Sequence, residues 1–156
     1  MLTAATKTAR RSNLKLKYFS SSEFGVWYPL MSLELLKKLD KFREEWGYPV
    51  EISKANGAIG RESKDSHSQH NIFKWGEVRA VDVFPRTASG YITTAEERYR
   101  AYEVAKKVGF TGIGLYTDTA PGNMLHVDVR EDRQPGSPAL WSRVSGVYGG
   151  ISEVLA

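Results

Sequence analysis

Met124-Leu125-His126-Val127-Asp128-Val129-Arg130 alternates apolar and polar side chains from Leu125 onward, the pattern of a strand whose two sides meet different surroundings. Residues two apart share a side, so Leu125 and Val127 face a core while His126 and Asp128 point together into a cleft. Upstream, Ala80-Val81-Asp82 sits in a second short strand, and Ser68-Gln69-His70 in the loop before it. Two imidazoles and a carboxylate make three ligands for Zn²⁺ and leave the fourth tetrahedral position open, the arrangement of catalytic rather than structural zinc. His70, Asp82 and His126 are therefore the expected metal ligands, and the chain reads as a metallohydrolase.

Composition narrows the alternatives. The chain has 156 residues, 41% of them hydrophobic, with four Trp and eight Tyr, which fits one folded domain with a core of its own. There is no cysteine, so disulfide frameworks and thiolate zinc sites are excluded, and His67, His70 and His126 are the histidines available. Lys7, Arg10, Arg11, Lys15 and Lys17 form a basic tail over residues 1–17, ahead of a single domain at 18–156. No apolar run has the length of a signal peptide or a membrane span, and a product synthesised in the cytoplasm is expected. The net charge of +4 and the tail raise nucleic-acid binding as a function class. That class is the weaker one, because aromatic residues do not interleave with the charges as a stacking surface requires.

Outward from the decisive strand, the periodicity predicts the remaining elements. Ser20 and Glu23 form a capping box for a short helical turn, with Phe19, Phe24, Trp27 and Tyr28 as an aromatic anchor. Ser32 caps a helix to Trp46 with Leu33, Leu35, Leu36, Leu39 and Phe42 on one stripe, and Gly47 ends it. Residues 49–53 read as a strand, 54–78 as loop, and Arg79 to Phe84 as a strand ending at Pro85. Thr94 and Glu97 cap a second helix to Val108, followed by strands at Gly112 to Tyr116 and Met124 to Arg130 joined by a turn at Asp118 to Asn123. Beyond Arg130 only a turn at Gln134-Pro135-Gly136 and a packing role for Trp141 are expected. The order predicts an α+β domain with a small, mainly antiparallel sheet and flanking helices.

Ser68-x-His70, Ala80-x-Asp82 and Gly112-Ile113-Gly114-Leu115-Tyr116 leading to His126-Val-Asp128 resemble the zinc D-Ala-D-Ala carboxypeptidases and phage L-alanyl-D-glutamate endopeptidases of the LAS metallopeptidase fold. The resemblance runs from Lys17-Tyr18-Phe19 with Glu23-Phe24, through the first helix and Ile52-Ser53, to His126. It implies a hedgehog/D-Ala-D-Ala peptidase-like zinc fold and hydrolysis of peptide bonds in peptidoglycan stem peptides by a phage or prophage product, released for host lysis or carried in a virion. It also assigns zinc to His70, Asp82 and His126, and binding of a substrate carbonyl or carboxylate to Arg61. Endopeptidases and carboxypeptidases share these ligands, which leaves the scissile bond open, as the sequence leaves the oligomeric state.

Two departures from the family pattern shape the expectations. The family motif reads S-x-H-x(6)-D, whereas eleven residues, Asn71 to Val81, separate His70 from Asp82, so Asn71 to Glu77 is expected to bulge beside the metal with Phe73 and Trp75 as a cleft wall. Members carry an acid or a histidine shortly before the last zinc histidine, where this chain has Asn123, Met124 and Leu125. Asp128 is the substitute candidate for the general base, with orientation of a ligand as its other reading. His67 is either a spare ligand or a surface histidine. The rival to an enzyme is a virion or tail-assembly structural protein that keeps the peptidase fold without turnover.

Overall fold

Alternation along the strands decides how this chain is layered. The computed structural model describes residues 14–156, so Lys7, Arg10 and Arg11 of the basic tail lie outside the described residues. Strands β1 (Val50–Ile52), β2 (Ala80–Thr87), β3 (Gly90–Tyr91), β4 (Gly112–Tyr116), β5 (Met124–Asp128), β6 (Ala139–Val144) and β7 (Val147–Gly149) form one sheet in the order β1-β2-β5-β4-β6-β7, with β3 hairpinned onto β2. All the pairings are antiparallel except the parallel pair β4 and β6.

Paired residues share a face, so the register sorts the side chains. Val81, Val83, Ile113, Leu115, Leu125 and Val127 lie on one side and are buried. There they join the stripe Leu35, Leu36, Leu39, Phe42 and Trp46 of helix α1 (Leu33–Trp46) and Ala101 and Ala105 of helix α3 (Ala95–Val108) in a single core. The opposite face carries Asp82, Met124, His126, Asp128, Tyr116, Trp141 and Arg143 in neighbouring register positions. One side of the sheet is thus structural and the other chemical.

Both long helices start and stop where the sequence predicts. Ser32 accepts from Leu35 N, Thr94 and Glu97 form a reciprocal capping box, and Gly47 and Gly109 take left-handed C-cap conformations that cost glycine nothing. The Ser20–Glu23 box opens a 3-10 helix, Ser21–Leu30, and Phe19 and Phe24 are buried with Tyr28 stacked on Phe24. The described end of the basic tail is packed: Leu14 and Leu16 lie against the core, and Lys17 N donates to Asp40.

Three expectations need correction. Strand β2 continues through Pro85 to Thr87, because there its partners are short edge strands, where a missing N–H is tolerated. The segment after Arg130 contributes β6, β7 and a 3-10 helix, Ile151–Val154, which buries Ile151 and Val154. The stretch Asn71 to Glu77 is no bulging wall: it holds the one-turn helix α2 (Ile72–Trp75), capped by Asn71 and ended by Gly76. Phe73 is exposed, while Trp75 turns back to donate to Ser68 O and stacks under Arg79.

Candidate metal centre

His70 reaches the sheet from a strap rather than a strand. Ser68 Oγ accepts from His70 N at 3.2 Å, a local turn that explains the Ser-x-His spacing. Arg61 N donates to His70 O and Ile72 N to Arg61 O, pairing the strap with the preceding loop. Buried Asn71 ties the strap down, its amide donating to Ser63 O at 2.7 Å and Ser66 O at 2.8 Å. Asp82 and His126 then face each other across the β2–β5 register.

These three side chains converge. Asp82 Oδ1 lies 3.3 Å from His70 Nε2 and 3.1 Å from His126 Nδ1, and all three ligand atoms fall within 4.8 Å of one another. Four ligands about 2.0–2.1 Å from a zinc ion at tetrahedral angles sit about 3.3 Å apart, so these two separations match a ligand shell. The tautomers agree with this. His70 Nδ1 is 2.7 Å from Ile59 O, and His126 Nε2 is 2.7 Å from Asp128 Oδ2. Each ring therefore donates one N–H outward and turns its other nitrogen toward Asp82, where it would offer a lone pair to a bound metal; without one, His126 Nδ1–H donates to Asp82 Oδ1. Metal-binding histidines are commonly oriented in this way by a carbonyl or carboxylate. The buried group His70, Asp82 and His126 could hold a metal ion.

Asp128 stands behind the centre, fully buried. Its Oδ1 accepts from Arg130 N and Nε, and its Oδ2 from His126 Nε2 and Arg130 Nη2, the last at 2.6 Å. Burial alone would raise its pKa, but the hydrogen bonds from Arg130 and His126 hold the carboxyl well below the usual range. Asp82 is likewise depressed, the bonds from His126 and His70 outweighing desolvation. For His126, desolvation lowers the pKa, but Asp128 and Asp82 together raise it to about 9.

Space for this packing comes from glycine. A Cβ on Gly112 would lie 2.2 Å from the Asp128 carboxylate oxygens, and one on Gly114 2.4 Å from Trp141 Nε1. Trp141 rests against the His126 ring, with centroids 4.9 Å apart, and donates to Tyr116 Oη at 3.0 Å. A Gly-x-Gly within an apolar strand is the sequence signal for such close approach. Arg130, Tyr116 and Arg143, which sequence reading did not single out for a role, belong to the same face.

The centre opens into a cavity of about 350 Å³ lined by residues that include Arg61, His67, Gln69, Tyr116, Trp141 and Arg143. Arg61 and His67 therefore reach the candidate site, whereas Phe73, Trp75 and Asp128 are absent from its lining. Arg61 donates through Nε to Gly57 O at 2.8 Å. His67 is exposed on the rim and is not one of the three clustered ligands. No family model, curated protein or solved structure matches the chain.

Proposed function

We propose that this protein is a zinc-dependent peptidase with a hedgehog/D-Ala-D-Ala peptidase-like fold, acting on stem peptides of bacterial peptidoglycan. The observation that carries the metal reading is the convergence of His70 Nε2, Asp82 Oδ1 and His126 Nδ1 with both tautomers fixed from behind. The peptide reading rests on the Ser-x-His, Ala-x-Asp and His-Val-Asp motifs and their resemblance to the LAS peptidases. When bound, zinc would supply Lewis acidity and a water acidic enough to ionise near neutral pH.

The protein's own groups then divide the remaining work. Asp128 is engaged by four N–H donors and lies outside the cavity lining, which favours its orienting role over the general-base role. The lining offers His67 for proton exchange, and histidine is the side chain best suited to that task near neutrality. In this reading His67 takes the proton of the attacking water and returns it to the leaving amine. Arg61 steadies the developing negative charge on the substrate carbonyl oxygen.

One observation favours the non-catalytic alternative, a virion or tail-assembly structural protein: among the described residues Asp82 is the one carboxylate in the cavity lining, and it is needed for the metal. Incubation of the zinc-loaded protein with purified peptidoglycan, with and without chelator, separates the two. Chelator-sensitive release of peptide fragments, read by mass spectrometry, is the expected result. A zinc-loaded protein that releases none from several peptidoglycan types is a binding or structural module.

A further inference from the structure

Two cavities meet at Arg143. Beside the candidate metal cavity lies a second, of about 450 Å³, whose lining includes Glu51, Lys54, Phe84, Pro121, Met124 and Arg143. Met124 and Arg143 belong to both linings, so a chain leaving the metal centre on this side passes them.

Arg143 is held in place at that junction. Its guanidinium carbon lies 4.7 Å from the Tyr116 ring centroid and 5.8 Å from that of Tyr148. Its Nε donates to both oxygens of Asp118, at 3.1 and 2.9 Å, and Asp118 also accepts from Gly146 N in the β6–β7 turn at 2.7 Å. Asp118 thus engages Nε and Tyr148 is a further side-chain hydrogen-bond partner of the guanidinium, whose terminal amino groups form the fork that matches a ligand carboxylate. Fixing the side chain beforehand removes part of the ordering cost that binding would otherwise meet. Lys54 lies in the adjoining cavity and Arg61 in the first, while Glu51 accepts from the Tyr91 hydroxyl and Asp118 stays on Nε, so a ligand carboxylate would be recognised through the guanidinium's hydrogen-bonding edge rather than through an excess of positive charge.

We infer that Arg143 is a specificity-determining residue that binds a carboxylate of an acidic peptide where the two cavities join, fixing how the peptide lies across the metal centre. The peptide identity of the ligand rests on the peptidase reading, whereas the carboxylate site rests on the geometry of Arg143.

The test is calorimetric titration of the full chain, kept in chelator so that nothing is cleaved, with two synthetic stem peptides of one sequence. One peptide carries free carboxylates and the other has each converted to the amide. The free acid is expected to bind about tenfold tighter or more, as a charge-assisted fork implies. Arg143→Gln should bring the two affinities within about twofold, with the melting temperature confirming that the variant is folded. Should Arg143→Gln fail to fold, Arg143→Lys, which keeps a cation for Asp118 but loses the fork, must lower the discrimination several-fold. Equal affinities in the parent protein, no binding of either peptide, or undiminished discrimination in the variants would each overturn the inference. Carboxylate-selective binding without cleavage after zinc is restored leaves this site standing and refutes the peptidase reading; cleavage of both peptides with equal KM does the reverse.

Discussion

Asp128→Asn separates a positioning role from a proton-transfer role. Four N–H donors converge on the two carboxylate oxygens: Arg130 N at 3.1 Å and Nε at 2.9 Å on Oδ1, His126 Nε2 at 2.7 Å and Arg130 Nη2 at 2.6 Å on Oδ2. The amide keeps the shape but turns one oxygen into a donor, so in either orientation two bonds are replaced by donor–donor contacts. Hydrogen bonds to charged groups contribute about 1.5–3 kcal/mol each, and breaking one side of a buried ion pair costs about 3–5 kcal/mol. These estimates overlap, and the expected destabilisation is about 3–5 kcal/mol. At about 2–4 °C per kcal/mol for a domain of this size, the melting temperature should fall by about 6–20 °C. Zinc affinity should fall with it by about 10- to 100-fold, because His126 loses the partner that fixes its tautomer. Thermal denaturation of the metal-free protein and a competition titration with a chromophoric chelator measure the two effects. A variant with unchanged stability and zinc affinity would refute this reasoning, and if its turnover alone had collapsed, Asp128 would be the general base after all.

The remaining predictions concern protons, space and the strap. His67→Ala should keep zinc affinity within about twofold yet lose roughly 10²-fold in hydrolysis if His67 carries the proton, as metal titration and turnover on one preparation would show. With the pKa of His126 raised to about 9, zinc must displace a proton at neutral pH, so apparent affinity should rise up to tenfold per pH unit until about pH 9; calorimetry in buffers of different ionisation enthalpy counts the proton. In the metal-free protein the same raised pKa contributes stability that is complete below about pH 6.5 and lost as pH rises through about 9. The depressed Asp82 and Asp128 contribute stability present above about pH 4 and lost in acid, so denaturant midpoints should peak between about pH 4 and 6.5. Gly112→Ala should cost about 1–3 kcal/mol or more by chemical denaturation and weaken zinc binding, since its methyl group would occupy the Asp128 carboxylate. Asn71→Ala should destabilise by about 2 kcal/mol or more through orphaned carbonyls, and Phe73→Ala by no more than about 0.5, the reverse of a cleft-wall role for Phe73.

Periodicity and capping were sufficient for the two long helices because those signals are local. Ser32 with Gly47, and Thr94 with Glu97 and Gly109, are readable one turn at a time, and their geometry matches. The candidate ligands were legible for a related reason: with three histidines and no cysteine, few combinations existed, and His126-Val-Asp128 declares a strand by alternation. Strands β6 and β7 were not legible, because Ala139–Val144, lying between β4 and the short edge strand β7, has apolar and polar residues that follow the Trp141 contact and the β4 register rather than a clean period of two. Nor does chain order indicate that β6 joins β4 in parallel, bringing Trp141 and Arg143 to the face of the candidate metal centre from beyond the last recognisable motif.

The Asn71–Glu77 segment departs from the expected bulge for a physical reason that bears on the site itself. Extra residues between two ligands need not bulge into the cleft: they can be absorbed sideways if a polar side chain satisfies the carbonyls they leave behind. Asn71 does this with one amide, which donates to Ser63 and Ser66 while its oxygen accepts from Ser63 N and Phe73 N. The added length becomes a capped turn of helix on the far side of the strap, with Trp75 bonded to Ser68. His70 consequently stays beside Asp82 despite the longer spacing, because its position is set by Ser68, Arg61 and Ile59 and not by the distance in sequence to β2. A spacing rule taken from a family motif therefore constrains this centre less than the hydrogen bonds that fix each ligand's backbone.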